Sequence, residues 1–343
     1  ALDRIRRARG EVGLDQSGKA RKTLEELDGM DTWITQHQSG AVTGIVTKGA
    51  EEQFKQAMQT AFAQLVELQV ERGDMEAAAT ALRKAEARFG RTGVLAAPAI
   101  QMQAAADGNA AAWKALSAAL VSFPDEPSLL LTAAKMALTD ATGLPDAVEA
   151  AVAERGSESA RYNVLVGLHN ARLNPRCAAF GERIVTQISV VDQGKVNGMR
   201  YACLLDGNDI LGADALLAKE GAKLPVEGRI WHVDKYLAAD RVADALSLLD
   251  QIVAAGAGEK AQRASDLRIS ALTQLGRLDE ALAEVKPRLS ASFVVYNLAV
   301  SFARTERFVA AHGLMEGFDC TTLDIDPPEA CPQFKADIAR LAK

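Results

Sequence analysis

Aromatic residues are scarce in this chain, at 5% of 343 residues, whereas alanine makes up close to a fifth of it. A core with so few large rings must be built mainly from small aliphatic side chains, which suits helices that pack closely together. Apolar residues still reach 48% and charged residues 24%, the balance typical of a soluble, folded protein. The composition therefore favours closely packed helices.

Positive charge is not in excess, because the formal net charge is −6 and the pI is about 5.4. Without a basic surface to neutralise phosphates, we expect no nucleic-acid partner. No apolar run approaches the roughly 20 residues that span a bilayer, so no transmembrane segment is predicted. The chain begins at Ala1 without a visible signal-peptide pattern. A removed signal and a fragment of a longer protein both agree with that start.

Catalytic and metal-binding motifs are also missing. The sequence has no G-x-S-x-G, H-E-x-x-H or glycine-rich dinucleotide motif, and the run Gly40–Gly49 lacks the residue order of a phosphate loop, so we predict a plain loop there. No metal-ligand spacing of His or Cys occurs. We therefore predict no enzymatic activity and no cofactor. The four histidines, which we interpret as ordinary surface or groove residues, are His37, His169, His232 and His312.

What the chain does contain is a repeated pair of amphipathic helices. From Glu51 to Arg88, apolar residues recur at spacings of three and four, and the pattern breaks at Gly73-Asp74. This pattern predicts a helix, a tight turn and a second helix. The same design recurs at predicted turn residues with a mean interval near 33 residues, namely Gly73, Gly108, Thr142, Asn174, Asn208, Asp240, Gly276 and Glu306.

A small residue follows each predicted turn at a fixed distance. Five residues after the turns stand Ala78, Trp113, Ala147, Ala179, Ala213, Ala245, Ala281 and Ala311. Alanine is favoured where two helices approach most closely, because a small side chain lets their backbones come together. We therefore expect these sites to be buried, with the Trp113 hairpin splayed or irregular.

The period near 34, the turn glycine and the alanine five residues on resemble the tetratricopeptide repeat (TPR). The resemblance covers roughly Glu51 to Phe318, although the family's Trp and Tyr early in the first helix are mostly missing. It implies an all-α fold, a right-handed α-solenoid of about eight TPR-like helical hairpins. A different α-solenoid and an α/α toroid are the alternatives.

The ends of the chain fit the repeat less well. Residues 1–50 suggest short helices and loops, residues 51–318 form the predicted repeat array, and residues 319–343 hold a segment with Pro327-Pro328 followed by a helix from Gln333 to Ala342. The last hairpin of a solenoid has no neighbour, so we predict that this final helix caps the array.

The resemblance also implies a concave groove lined by the first helices of the hairpins. A mixture of aliphatic, Met and charged side chains there suits an extended or helical peptide. A Lys and Asn pair that clamps a C-terminal carboxylate in some family members is absent from the corresponding positions. The candidate groove residues are Met102, Met136, Arg161, Leu168, Lys195, Ile230, Asp234, Arg263, Asp266, Phe293, Tyr296 and Arg304.

Four cysteines occur, and they pair sensibly in the repeat register. Cys320 and Cys331 flank the proline-containing segment, where a disulfide would hold the last helix in place. Cys177 and Cys203 fall at similar heights in consecutive hairpins and form a second candidate bridge. Disulfides point to an oxidising compartment, so we predict a periplasmic or otherwise exported protein, with unpaired thiols in a cytoplasmic protein as the alternative.

These features predict a protein–protein interaction or scaffold module for a protein or peptide partner. The alternatives are an enzyme or small-molecule sensor that uses the inside of the helical array, and the sensory part of a larger bacterial protein. A deep pocket with converging polar groups would favour the second class.

Overall fold

A computed structural model of the chain describes residue 22 and residues 48–256, 260–285, 293–324 and 327–343, with the backbone alone for residues 48–54. Nearly all of the predicted N-terminal segment, including His37, therefore lies outside the described residues. Lys48 and Gly49, which the sequence places in a loop, belong to the first described helix.

Within the described ranges the chain forms seventeen α-helices, joined by turns and three short 3-10 segments, and contains no strand. The helices are α1 (Lys48–Glu71), α2 (Met75–Phe89), α3 (Gly93–Asp107), α4 (Asn109–Ser122), α5 (Pro127–Thr139), α6 (Asp146–Arg155), α7 (Glu158–Asn170), α8 (Asn174–Ile184), α9 (Val190–Asp206), α10 (Ile210–Glu220), α11 (Val226–Ala238), α12 (Val242–Ala254), α13 (Ala261–Gln274), α14 (Leu278–Val285), α15 (Phe293–Arg304), α16 (Phe308–Met315) and α17 (Ala330–Leu341).

The chain divides into two compact units, with the boundary between Ser189 and Val190. In the first unit, α1, α3, α5 and α7 contact one another in that order, and so do α4, α6 and α8. In the second unit, α9, α11, α13 and α15 form the same kind of series. The first helix of each hairpin also packs against the second helix of the same hairpin. Each unit is thus built from helical hairpins whose first helices lie side by side.

Six of the eight hairpin turns share one hydrogen-bonded geometry. At Gly73, for example, the amide donates to the Val70 carbonyl, and the next amide, that of Asp74, reaches back to the Gln69 carbonyl. Such a pair of bonds defines a Schellman motif, which requires a residue in the left-handed conformation. The residues with positive φ at these turns are Gly73, Arg172, Asn208, Asp240, Gly276 and Glu306.

The predicted register is confirmed in part and wrong in two hairpins. Ala78, Ala213, Ala245, Ala281 and Ala311 are fully buried, as expected for residues between closely packed helices. Ala147 and Ala179, however, are exposed.

In the fourth hairpin the left-handed residue is Arg172 rather than Asn174, which begins α8. Five residues after Arg172 stands Cys177, which is fully buried. In the third hairpin Val148, five residues after Gly143, is buried in the same way. In these two hairpins the turn lies one or two residues from its predicted position. The predicted alanines therefore fall on the solvent-exposed face of their helices.

The hairpin of α3 and α4 is one of the two that lack this turn geometry, in line with the irregularity that its tryptophan predicts. A single residue, Gly108, joins the two helices, and its amide bonds to the Ala104 carbonyl without the second bond of a Schellman motif. Trp113 is 2% exposed. A side-chain carbon at Gly143 would lie 2.8 Å from Cδ1 of Trp113, so the absence of a side chain there makes room for the indole.

The C-terminal segment is fixed by a disulfide. Cys320 and Cys331 are bonded, as predicted, with their Cα atoms 5.7 Å apart. The bond ties the start of α17 to the 3-10 turn Cys320–Thr322, and α17 packs against α16. Cys177 and Cys203 are disulfide-bonded too, so the chain contains no free thiol.

Candidate functional site

The first helices of the second unit carry charged side chains that pair from one helix to the next. Arg263 on α13 donates to Asp234 on α11, with 2.6 Å between nitrogen and oxygen. Lys260, just before α13, lies 2.8 Å from a carboxylate oxygen of Glu227 at the start of α11. The hydrogen bond and the charge of Lys260 lower the pKa of Glu227. Asp234 and Glu227 stand seven residues apart and so share one helix face.

Both ion pairs lie at the surface, since the Arg263 side chain is 60% exposed and that of Glu227 76%. Exposed pairs of this kind contribute little to folding, because water and salt screen their attraction. Their charges are therefore accessible to a partner of complementary charge. Asp266, one turn further along α13, accepts a hydrogen bond from Gln262 and is half-buried.

The end of the series, helix α15, combines exposed and packed aromatic residues. Phe293 is 54% exposed, and Arg304 at the other end of α15 is also exposed. Tyr296 instead packs edge-on against Phe334 of α17, with ring centroids 5.5 Å apart. Phe293 and Arg304 are thus available to a partner, whereas part of the Tyr296 ring is covered by the C-terminal helix.

Three other candidate groove residues lie in the hydrophobic core. Leu168 is fully buried, and Ile230 and Met136 are only 2% and 7% exposed. These side chains pack against neighbouring helices and present no surface to a partner. Their helical spacing identified apolar positions but not the direction in which those positions face.

The remaining candidates have local roles. Arg161 donates to the backbone carbonyls of Ala153, Glu154 and Gln187, which holds the α6–α7 connection together. Lys195 is exposed and pairs with Asp192 one turn earlier. Met102 is half-buried.

A buried polar cluster in the second unit escaped the sequence analysis. The Tyr201 hydroxyl on α9 lies 2.7 Å from Nδ1 of His232 on α11. Nε2 of His232 lies 3.1 Å from a carboxylate oxygen of Asp214 on α10, although it is not directed along a hydrogen bond to that oxygen. Asp214 also accepts from the Tyr236 hydroxyl and, at 3.0 Å, from Arg241.

Rings stack around these hydrogen bonds. The His232 imidazole stacks on the Tyr236 ring at an interplanar angle of 28°, with ring centroids 4.2 Å apart, and the Arg241 guanidinium lies 4.5 Å from the centroid of the same ring. Stacking of the His232 and Tyr236 rings stabilises the cluster by about 0.5–1.5 kcal/mol beyond the burial of their surface. The cluster therefore ties α9, α10, α11 and the start of α12 together.

Burial governs the protonation of this cluster. Burial lowers the pKa of His232, and the nearby Asp214 carboxylate opposes that shift. Burial also raises the pKa of the Tyr201 and Tyr236 hydroxyls well above the ordinary tyrosine value. The histidine is therefore neutral and both tyrosines keep their protons near neutral pH.

The order Tyr–His–Asp is one that acid–base catalysts use, but here Tyr201 and His232 are both fully enclosed. A substrate atom cannot reach the hydroxyl or the imidazole in this arrangement, so the cluster supports the packing of the helices. His232 is thus not the surface or groove residue that the sequence suggested. The sequence held one sign of this contact: His232 follows Tyr201 by 31 residues, close to the predicted repeat length, so both fall at similar positions in consecutive first helices.

No described helix has the length and apolarity needed to pass through a bilayer. All four cysteines are disulfide-bonded. The chain matches no protein-family model, and no curated protein is significantly similar to it.

Proposed function

We propose that the chain is a protein–protein interaction module of the TPR-like solenoid type, which presents the first-helix face of its hairpins to a peptide or protein partner. The observation that carries this proposal is the ordered contact series α9, α11, α13 and α15. Its outer residues include the paired charges of Asp234 and Arg263 and the exposed Phe293 and Arg304.

Exposed charges and an aromatic ring on one helical layer suit a partner with acidic and apolar groups. Arginine and aromatic side chains most often supply the binding energy of an interface, and Phe293 is the large apolar residue exposed on α15. The charged pairs would give the interface its orientation and its salt dependence.

We place this module in an oxidising compartment such as a bacterial periplasm. Support comes from the disulfide bonding of all four cysteines, because structural disulfides form and persist mainly outside the reducing cytosol. Recombinant protein from an oxidising and from a reducing host would be compared by thiol titration after denaturation. Four free thiols in the native protein would contradict this placement.

The experiment that tests the function is capture of partners by the full chain from source extract, followed by mass spectrometry. The double variant Phe293→Ala/Arg304→Ala should lose a partner that the wild type recovers. Val309→Ala, which alters a 74% exposed residue on the second helix of the same hairpin, is the matched control and should retain it. Equal recovery by the wild type and both variants would exclude the first-helix face as the interface.

A further inference from the structure

Arg229 on α11 is a buried cation that forms no ion pair with a carboxylate of the described residues. The residue is only 4% exposed. Its Nε is shut off from solvent and donates to no acceptor in the described part of the chain. A guanidinium stays charged at any physiological pH, and an enclosed charge of this kind is normally paired or hydrogen-bonded. Arg229 is therefore a feature that the folding of the helices alone does not explain.

The surroundings of Arg229 bring two helices unusually close. A side-chain carbon added at Gly198 on α9 would lie 3.0 Å from the ring of Pro225, and one added at Gly228 would lie 3.0 Å from the ring of Tyr201. These glycines bracket the seam between α9 and the first turn of α11. The backbone of α9 therefore approaches the start of α11 closely beside Arg229.

Polar groups converge on this seam. Asn197 is only 6% exposed and lies one turn before Tyr201, so both side chains occupy the same face of α9. The Arg229 charge acts on the Tyr201 hydroxyl, where it opposes the rise in pKa that burial causes. Helix α11 begins at Val226, directly after Pro225, and no side chain caps its first amides. Helical side chains lean toward the start of their helix, so we expect the Arg229 side chain to extend toward these amides.

The charge balance of the seam selects the class of ligand. One guanidinium matches one carboxylate in charge and in its forked geometry. A phosphate dianion would bring two negative charges to a single guanidinium, and the second charge would stay unbalanced in a largely buried place. The net negative charge of the chain also disfavours that ligand.

We propose that Arg229 anchors a binding site for a single carboxylate group, with the Asn197 amide as a second hydrogen-bond donor. A small organic acid and an acidic side chain of a bound peptide both provide this group. The site therefore does not rest on the proposed interaction function, and it would serve equally in a protein that binds a small acid.

The test is thermal unfolding of the full oxidised chain in sodium acetate and sodium succinate against sodium chloride of equal ionic strength. Carboxylates should raise the midpoint of the wild type above its value in chloride. Arg229→Met should lose this response, because it keeps the length of the side chain but not its charge. Arg263→Met, at the exposed arginine of the Asp234 pair, is the matched control and should keep it.

Two further arms identify the source of the carboxylate and guard against a variant that does not fold. The affinity of a blocked glutamate tetrapeptide would be compared with that of acetate and with that of the matching glutamine tetrapeptide. Binding of the glutamate peptide at least tenfold more tightly than both would assign the site to a peptide. Equal affinity for the glutamate peptide and acetate would assign it to a small acid. In the wild type, the NMR signal of the Arg229 Nε–H should move on addition of acetate. Equal midpoints in carboxylate and chloride, an unmoved signal, or stronger binding of inorganic phosphate than of acetate would overturn the proposal.

Discussion

The small-residue site at the hairpin turns permits a stringent test, because α12 contains two alanines in opposite surroundings. Ala245 is fully buried, five residues after the left-handed Asp240, whereas Ala243 two residues earlier is exposed. Leucine at Ala245 adds three carbon atoms between α11 and α12. Burying them would contribute about 2.4 kcal/mol if space existed.

The turn prevents that space from opening. The Arg241 amide reaches back 2.8 Å to the Tyr236 carbonyl, and the Ala245 amide donates to the Arg241 carbonyl, so α11 and α12 cannot separate without breaking the turn. We therefore expect Ala245→Leu to lower the free energy of unfolding by about 1–3 kcal/mol.

Ala243→Leu should change the same free energy by less than about 0.5 kcal/mol, because its side chain points into solvent. Urea unfolding of the oxidised proteins, followed by circular dichroism, measures both variants under identical conditions. A cost at Ala245 no larger than at Ala243 would show that the helices do not meet closely at this site, and the hairpin register drawn from the structure would fail.

Three further outcomes follow from the second unit. Because the folded state lowers the pKa of His232, its unfolded state binds a proton more readily. Stability should therefore fall as the pH drops below the unfolded value of about 6.5, by at most about 1.4 kcal/mol per pH unit, and His232→Gln should remove that part of the slope in urea titrations at pH 5 to 8. Tyr236→Phe leaves the Asp214 carboxylate without the hydroxyl that donates to it and should cost about 1–3 kcal/mol, whereas an unchanged unfolding midpoint would argue against that bond. Replacing Cys320 and Cys331 with serine opens a loop of 11 residues and should lower the free energy of unfolding by about 3 kcal/mol; an unaltered midpoint by calorimetry would contradict this.

The sequence predicted the helical hairpins because their signals are local. Helical spacing of apolar residues and a turn-forming residue suffice to locate a helix pair, and the buried alanines at Ala78, Ala213 and Ala281 followed from the same pattern. The prediction failed where the left-handed residue was Arg172, since no local preference marks an arginine for that conformation. The bonds around it, and the packing of Cys177 behind it, stabilise the turn despite its residue type.

The candidate site was less predictable, because it depends on the direction in which each side chain faces. Ile230 and Asp234 are one turn apart, yet the first is buried in the core and the second forms a surface ion pair. The cluster around His232 requires residues from three helices to meet, and Arg229 requires two glycines to bring α9 and α11 together. These contacts depend on the tertiary fold, so the periodicity of a single sequence does not reveal them.

The left-handed turns have a consequence for engineering this chain. Four of them, at Arg172, Asn208, Asp240 and Glu306, are formed by residues other than glycine. A side chain in this conformation is strained, and the cost is highest where the residue is neither Asn nor Asp. Glycine at Arg172 or Glu306 should therefore raise the melting temperature, because relief of about 1–2 kcal/mol of strain exceeds the roughly 0.4–1 kcal/mol that the added freedom of the unfolded chain costs. The strained turn positions are thus the places where a single substitution can make the protein more heat-resistant. Such a substitution leaves the surfaces of the helices unchanged.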